Sequence, residues 1–155
     1  MTGTGTGTGP FDGLPEDHRE RLTALSREVS WPAGTRIFEE GGRADRFWTV
    51  LAGTVRLDLY VPGSRPVVVE TIGPGQLLGW SWVCPPRRWH LGAEAGGAVR
   101  AREYDAAEVL ERCARDPALD HALLTYVIGV VGHRLRSTRT RLLDLYGPHG
   151  DEGPR

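Results

Sequence analysis

The sequence predicts a mainly β domain closed off by helices, and three observations carry that expectation. Between Val29 and Tyr104, short apolar runs alternate with Gly- and Pro-rich turns, the spacing of an antiparallel sandwich or barrel. Before and after that stretch the apolar residues recur at three and four positions instead. At 155 residues the chain is the size of one domain and can bury a core without disulfides.

Taken in order, residues 1–13 open with MTGTGTGTGP, which has neither a charged leader nor an apolar core and reads as a disordered tail. Pro15 to Glu28 is expected to be helical. Pro15 fits a first turn, Glu16 and Asp17 suit the helix dipole there, and Leu22 and Leu25 supply one apolar side. The barrel, about 29–104, begins at Val29. Strands are expected at Thr35–Phe38, Arg46–Leu51, Val55–Tyr60 and Pro66–Ile72, punctuated by Pro32-Ala-Gly34, Glu40-Gly-Gly42, Gly53 and Pro62-Gly-Ser64. Two more follow at His90–Ala95 and Val99–Tyr104, joined by Gly96-Gly97.

Between those groups lies Gly75–Ala95, with Trp80, Trp82 and Trp89 inside ten residues and Cys84, Pro85-Pro86 and Arg87-Arg88 among them. No helix or long strand accommodates that order, so it reads as a structured loop on a rigid scaffold, the place where binding groups collect.

Asp105-Ala-Ala-Glu108 is a capping box that starts a helix over 105–115. The last helix, 117–146, carries a seam of Leu119, Leu123, Val127, Val131, Leu135, Thr138, Leu142 and Leu145. Leu124, Ile128, Val130 and Leu143 widen it, so the helix has more than one surface to cover. One surface is assigned to the barrel and the other, through Leu123, Val127, Val131, Leu135, Thr138 and Leu142, to a second copy. His133, Arg134, Arg136, Arg139 and Arg141 fall mostly off the seam and read as a solvated face. Residues 147–155 are expected to be a loose tail.

Charge is nearly balanced, 19 basic against 20 acidic residues, so no global field points to nucleic acid or anionic membrane. No apolar run approaches the ~18 residues of a membrane span. Two cysteines, Cys84 and Cys113, do not make a disulfide framework and read as reduced thiols of a cytoplasmic protein.

The order of helix, strands, loop, short helix and long helix resembles the cyclic nucleotide-binding domain of Crp/Fnr-like regulators. The residues that carry the likeness are Pro32-Ala-Gly34, Ile37-Phe38, Glu40-Gly41, Ala44, Phe47-Trp48, Val50, Gly53, Val55 and Leu57, then Gly73-Pro-Gly75 and Leu77-Leu78-Gly79. It covers 14–146 and implies a double-stranded β-helix, or jelly-roll, barrel with an N-terminal helix and a long C-terminal one.

The resemblance also implies how a ligand would be held: backbone N–H groups and an Arg on the cyclic phosphate, and a Glu after the cassette Gly on the ribose. Gly79 matches the cassette Gly, but Trp80 stands where the Glu belongs and Trp89 where the Arg belongs. Each charge-assisted hydrogen bond is worth on the order of 1.5–3 kcal/mol. Losing both weakens an ordinary cyclic nucleotide by very roughly two to four decades. The pocket residues expected on this basis are Gly79, Trp80, Ser81, Trp82, Arg87, Arg88, Trp89 and His90. The expected role is a non-catalytic regulatory domain that senses a small molecule or docks a protein partner.

A competing reading keeps cyclic nucleotide binding, with Arg87 or Arg88 shifted onto the phosphate. Two remoter ones are a cupin-type metalloenzyme and a haem sensor. Only His90 of the five histidines lies in the barrel and no His-x-His pair occurs, although Glu94 has the same parity as His90. Cys84 and His90 are the candidate haem ligands. No cofactor, metal or catalytic residue is assigned. The nine residues after Tyr146 are too few for a recognition helix, so direct DNA contact is not expected.

Overall fold

A computed structural model describes residues 11–146. Its elements are α1 (Glu16–Ala24), β1 (Ser26–Trp31), β2 (Arg36–Phe38), β3 (Arg46–Ala52), β4 (Val55–Leu59), β5 (Val67–Ile72), β6 (Leu77–Leu78), β7 (Gly92–Ala95), β8 (Val99–Asp105), α2 (Ala106–Arg115) and α3 (Pro117–Tyr146). The strands form two four-stranded antiparallel sheets, ordered β1-β8-β3-β6 and β2-β7-β4-β5. This is the jelly-roll expected from the sequence, with a helix before it and a long helix after. No helix among the described residues is long and apolar enough to cross a membrane.

The core follows from alternation. Along β4, Val55 and Leu57 turn inward while Arg56 faces out, paired with Glu94 across the sheet. The centre is aromatic: Phe47 lies between Trp82 and Tyr104, ring centres 4.2 and 4.7 Å away and nearly parallel. An acid is buried on β8. Glu103 accepts hydrogen bonds from Arg27 Nε (2.6 Å) and Trp48 Nε1 (3.1 Å), with Arg46 at 3.3 Å. Burial pushes its carboxyl up, but those donors outweigh burial and hold it below its ordinary range.

Three expectations need correction here. The first helix stops at Ala24, and Ser26 to Glu28 belong to β1, where Arg27 opposes Glu103 of β8. Pairing with a formed strand overrides the helical pattern of those polar residues. The tail does not extend to residue 13: Phe11 is buried, edge-on to Phe47, Tyr104 and Tyr126, so the chain is anchored three residues before the expected start at Leu14. The rest of that tail, and the one at 147–155, lie outside the described residues.

The third correction concerns α3. Leu123 and Val127, expected at a dimer seam, are 1% and 3% exposed within one chain and complete the core alongside Leu119. Asp105 caps α2 by accepting from the Glu108 N–H (3.0 Å), and Asp116 does the same for Leu119 N–H (3.2 Å) at the start of α3.

Candidate functional site

The site is built by the loop between β6 and β7, and its shape is decided by where three tryptophans go. Gly79 turns the chain at φ +90°, and a Cβ there would meet the Trp89 ring at 2.8 Å, so glycine is required twice over. A single 3₁₀ turn follows at Ser81–Val83. It drives Trp82 into the core, where its Nε1–H donates to the Gly79 carbonyl (3.1 Å) and its ring stacks on Phe47.

The returning limb pairs with the β2–β3 connection. Ala44 N–H donates to Arg87 O (2.8 Å), Trp89 N–H to Gly42 O (2.8 Å) and Gly41 N–H to Trp89 O (2.7 Å). Extended pairing sends successive side chains to opposite faces. Arg88 therefore points outward, donating to Gly41 O (3.0 Å), and Trp89 points inward, stacked on Phe38 at 4.0 Å. Ser81 Oγ lies 3.1 Å from His90 Nδ1, and the His90 ring tilts against Trp80 at 4.5 Å. Burial and the nearby Arg134 hold His90 below its ordinary pKa despite Glu40, which favours the neutral ring at pH 7.

Gly79, Trp80, Ser81, Trp89 and His90 open onto one cavity of about 460 Å³ between the barrel and α3. Phe38, Leu57, Leu59, Val69, Glu70 and Leu91 complete the barrel side, and α3 contributes Val131, Arg134, Leu135 and Thr138. Three expected pocket residues are not there. Trp82 is core, and Arg87 and Arg88 line a separate depression of about 420 Å³ with Arg43, Asp45 and the start of α2. Neither arginine of the shifted-arginine reading lines this cavity, because the backbone pairing that turns Trp89 inward turns Arg88 away. Glu94 also faces elsewhere, held by Arg56 at 3.1 Å. Cys84 is exposed beyond the 3₁₀ turn.

The sequence reading missed Arg134. Expected on a solvated face, its side chain is only 12% exposed; it donates to the Leu77 carbonyl and lies 3.8 Å from Glu70. Burial pushes its pKa down, and Glu70 opposes that shift. The signal was present, since Arg134 follows Val131 by three and precedes Thr138 by four, on the seam itself. Val131, Leu135 and Thr138, expected at the dimer face, also line the cavity, and Leu135 remains 68% exposed on its outer side.

The comparisons with known proteins agree with this architecture. The family model for "Cyclic nucleotide-binding domain" matches residues 28–116. A CRP-like cAMP-activated global transcriptional regulator from Mycobacterium tuberculosis is 28% identical over 137 residues, 88% of this chain and 59% of that protein. The chain thus spans about three fifths of the length of the curated relatives it matches. The expectation of no direct DNA contact rested on chain length alone, and a relative described as a transcriptional regulator lends it no support.

Among solved structures, a candidate cyclic nucleotide-binding protein from Geobacter metallireducens is 28% identical with a TM-score of 0.69, covering 81% of this chain and 91% of that one. The N-terminal domain of a transcriptional regulator from Streptomyces coelicolor is 26% identical with a TM-score of 0.67, covering 83% and 89%. The family model spans more than half of the chain and the solved structures match its fold over most of its length: the chain belongs to the cyclic nucleotide-binding domain family.

Proposed function

We propose that this domain is a non-catalytic regulatory sensor whose cavity takes a small molecule other than ordinary cyclic AMP. The observation that carries this reading is the lining. Trp80 occupies the position after Gly79, and Trp89 is buried against Phe38 where the resemblance calls for a phosphate-binding Arg. The rest of the wall is mostly apolar, with Glu70, Ser81, His90, Arg134 and Thr138 as its polar members, and the two loop arginines lie in a different depression. A cyclic nucleotide carries a phosphate, a ribose hydroxyl and a polar base, each of which loses water on entry and needs a partner. The Mycobacterium tuberculosis relative, described as cAMP-activated, supports a regulatory role for this frame; the tryptophans argue for a changed ligand.

The output is proposed to pass through α3. Beyond Val127 this helix exposes Ile128, Leu135, Leu142, Leu143 and Leu145, a surface that suits a second copy. A ligand touching Val131 and Arg134 from inside would act on the element that faces the partner outside. Isothermal titration with cyclic AMP and cyclic GMP tests the ligand side. No saturable heat is expected at micromolar concentration, and micromolar binding of either nucleotide would overturn the reading.

A further inference from the structure

The ligand class can be narrowed if the cavity is a small-molecule site, the reading on which this inference rests. Among the described residues Arg134 is the only cation on the cavity wall, because His90 is favoured in its neutral form and Arg87 and Arg88 lie elsewhere. A guanidinium has five N–H donors in a fixed fork. Among the described residues, Arg134 makes one hydrogen bond, to the Leu77 carbonyl. Glu70 Oε1 lies 3.8 Å from Arg134 Nε, close enough to attract but beyond hydrogen-bond distance. Most of the fork is therefore unspent, on a side chain largely withdrawn from water and surrounded by apolar groups. That arrangement suits a planar anion offering two oxygens side by side.

The rest of the cavity asks for the opposite chemistry. Trp80, Leu91, Leu57, Val69 and Val131 offer hydrocarbon and indole surface, and the His90 ring beside them is favoured neutral. We propose that the cavity takes an apolar monocarboxylate, with its carboxylate on the Arg134 fork and its hydrocarbon body against Trp80, Leu91 and Val131. Glu70 is the opposing element: it keeps a counter-charge near Arg134 when the cavity is empty and weakens the anion when it is full. Aromatic and alkyl acids share this chemistry.

Calorimetric titration of the full chain with 2-naphthoate, octanoate and the neutral isostere 2-naphthalenemethanol separates the terms. One or both acids should bind at least tenfold more tightly than the alcohol, and which acid does so identifies the body. Arg134→Gln should erase that preference while leaving the alcohol unchanged, and Arg134→Lys should restore part of it. Glu70→Gln should tighten the acid severalfold without affecting the alcohol, an independent reading should Arg134→Gln fail to fold. Equal binding of acid and alcohol would overturn the anion assignment and leave the sensor reading standing. Failure of all three probes to bind would overturn this inference alone, whereas micromolar cyclic AMP binding would remove the sensor reading beneath it.

Discussion

The two halves of α3 carry one continuous apolar pattern and have opposite fates. From Pro117 to Val127 the seam is core: Leu119, Leu123 and Val127 are all buried against their own chain. From Ile128 onward the same spacing gives Leu135 and Leu142, 68% and 51% exposed, with the cavity opening between the helix and the barrel at Val131 and Arg134. The difference teaches that periodicity reports which side of a helix is apolar, and leaves open what covers that side. Covering the first half closes a core. The second half is left to face a cavity on one flank and solvent on the other.

The largest way to break this comparison is to empty the buried half. Leu123→Ala should cost about 2–5 kcal/mol of unfolding free energy, as a fully buried leucine does when its cavity cannot collapse. Denaturant midpoints measure it, and a loss below ~1 kcal/mol would mean that the first half of α3 is not core. At the cavity, Gly79→Ala combines a left-handed backbone with a contact at 2.8 Å to the Trp89 ring, and should cost about 1–3 kcal/mol. A silent substitution there would show that Trp89 is free to move out of the barrel.

Away from α3, the buried acid of β8 supplies a contrast in pH. Glu103 is held below its ordinary value of 4.5, so the stability it contributes is complete above that value and is lost as pH falls through its folded-state pKa. Glu103→Gln should cost ~1.5–3 kcal/mol near neutrality. The gap between wild type and variant should close below about pH 4.5; an undiminished gap in acid would disprove the charge account. The smallest effect on folding is expected in the exposed half. Leu142→Asp should yield monomers by light scattering, with a midpoint at high dilution within ~0.5 kcal/mol of wild type. An unchanged dimer would remove α3 as the interface, and a large loss of stability would mean that Leu142 is buried within one chain.

Much of the frame was legible because local rules decide it. Strand alternation in Val55–Leu59, the Asp105 cap and the Gly- and Trp-rich loop each follow from a few neighbouring residues. What escaped was non-local. Ser26 to Glu28 look helical until β8 offers them a partner. Phe11 looks like part of a tail until Tyr104 and Tyr126 are placed beside it. Whether Arg88 or Trp89 turns inward is set by pairing with Gly41–Ala44, more than forty residues away, and no count along the loop reveals it. Arg134 sits at seam spacing, but within a basic set that falls mostly off the seam it reads as part of a solvated face. A long side chain can reach carbonyls and an acid while its stem joins an apolar wall.

Hydrogen exchange along α3, measured in the Leu142→Asp monomer, tests the division of that helix most directly. Amides from Leu119 to Val127 should exchange only with global unfolding, while those beyond Leu135 should exchange orders of magnitude faster, because no core holds them. Uniform protection from Leu119 to Leu145 in the monomer would contradict the account, since the outer half would then be packed within a single chain.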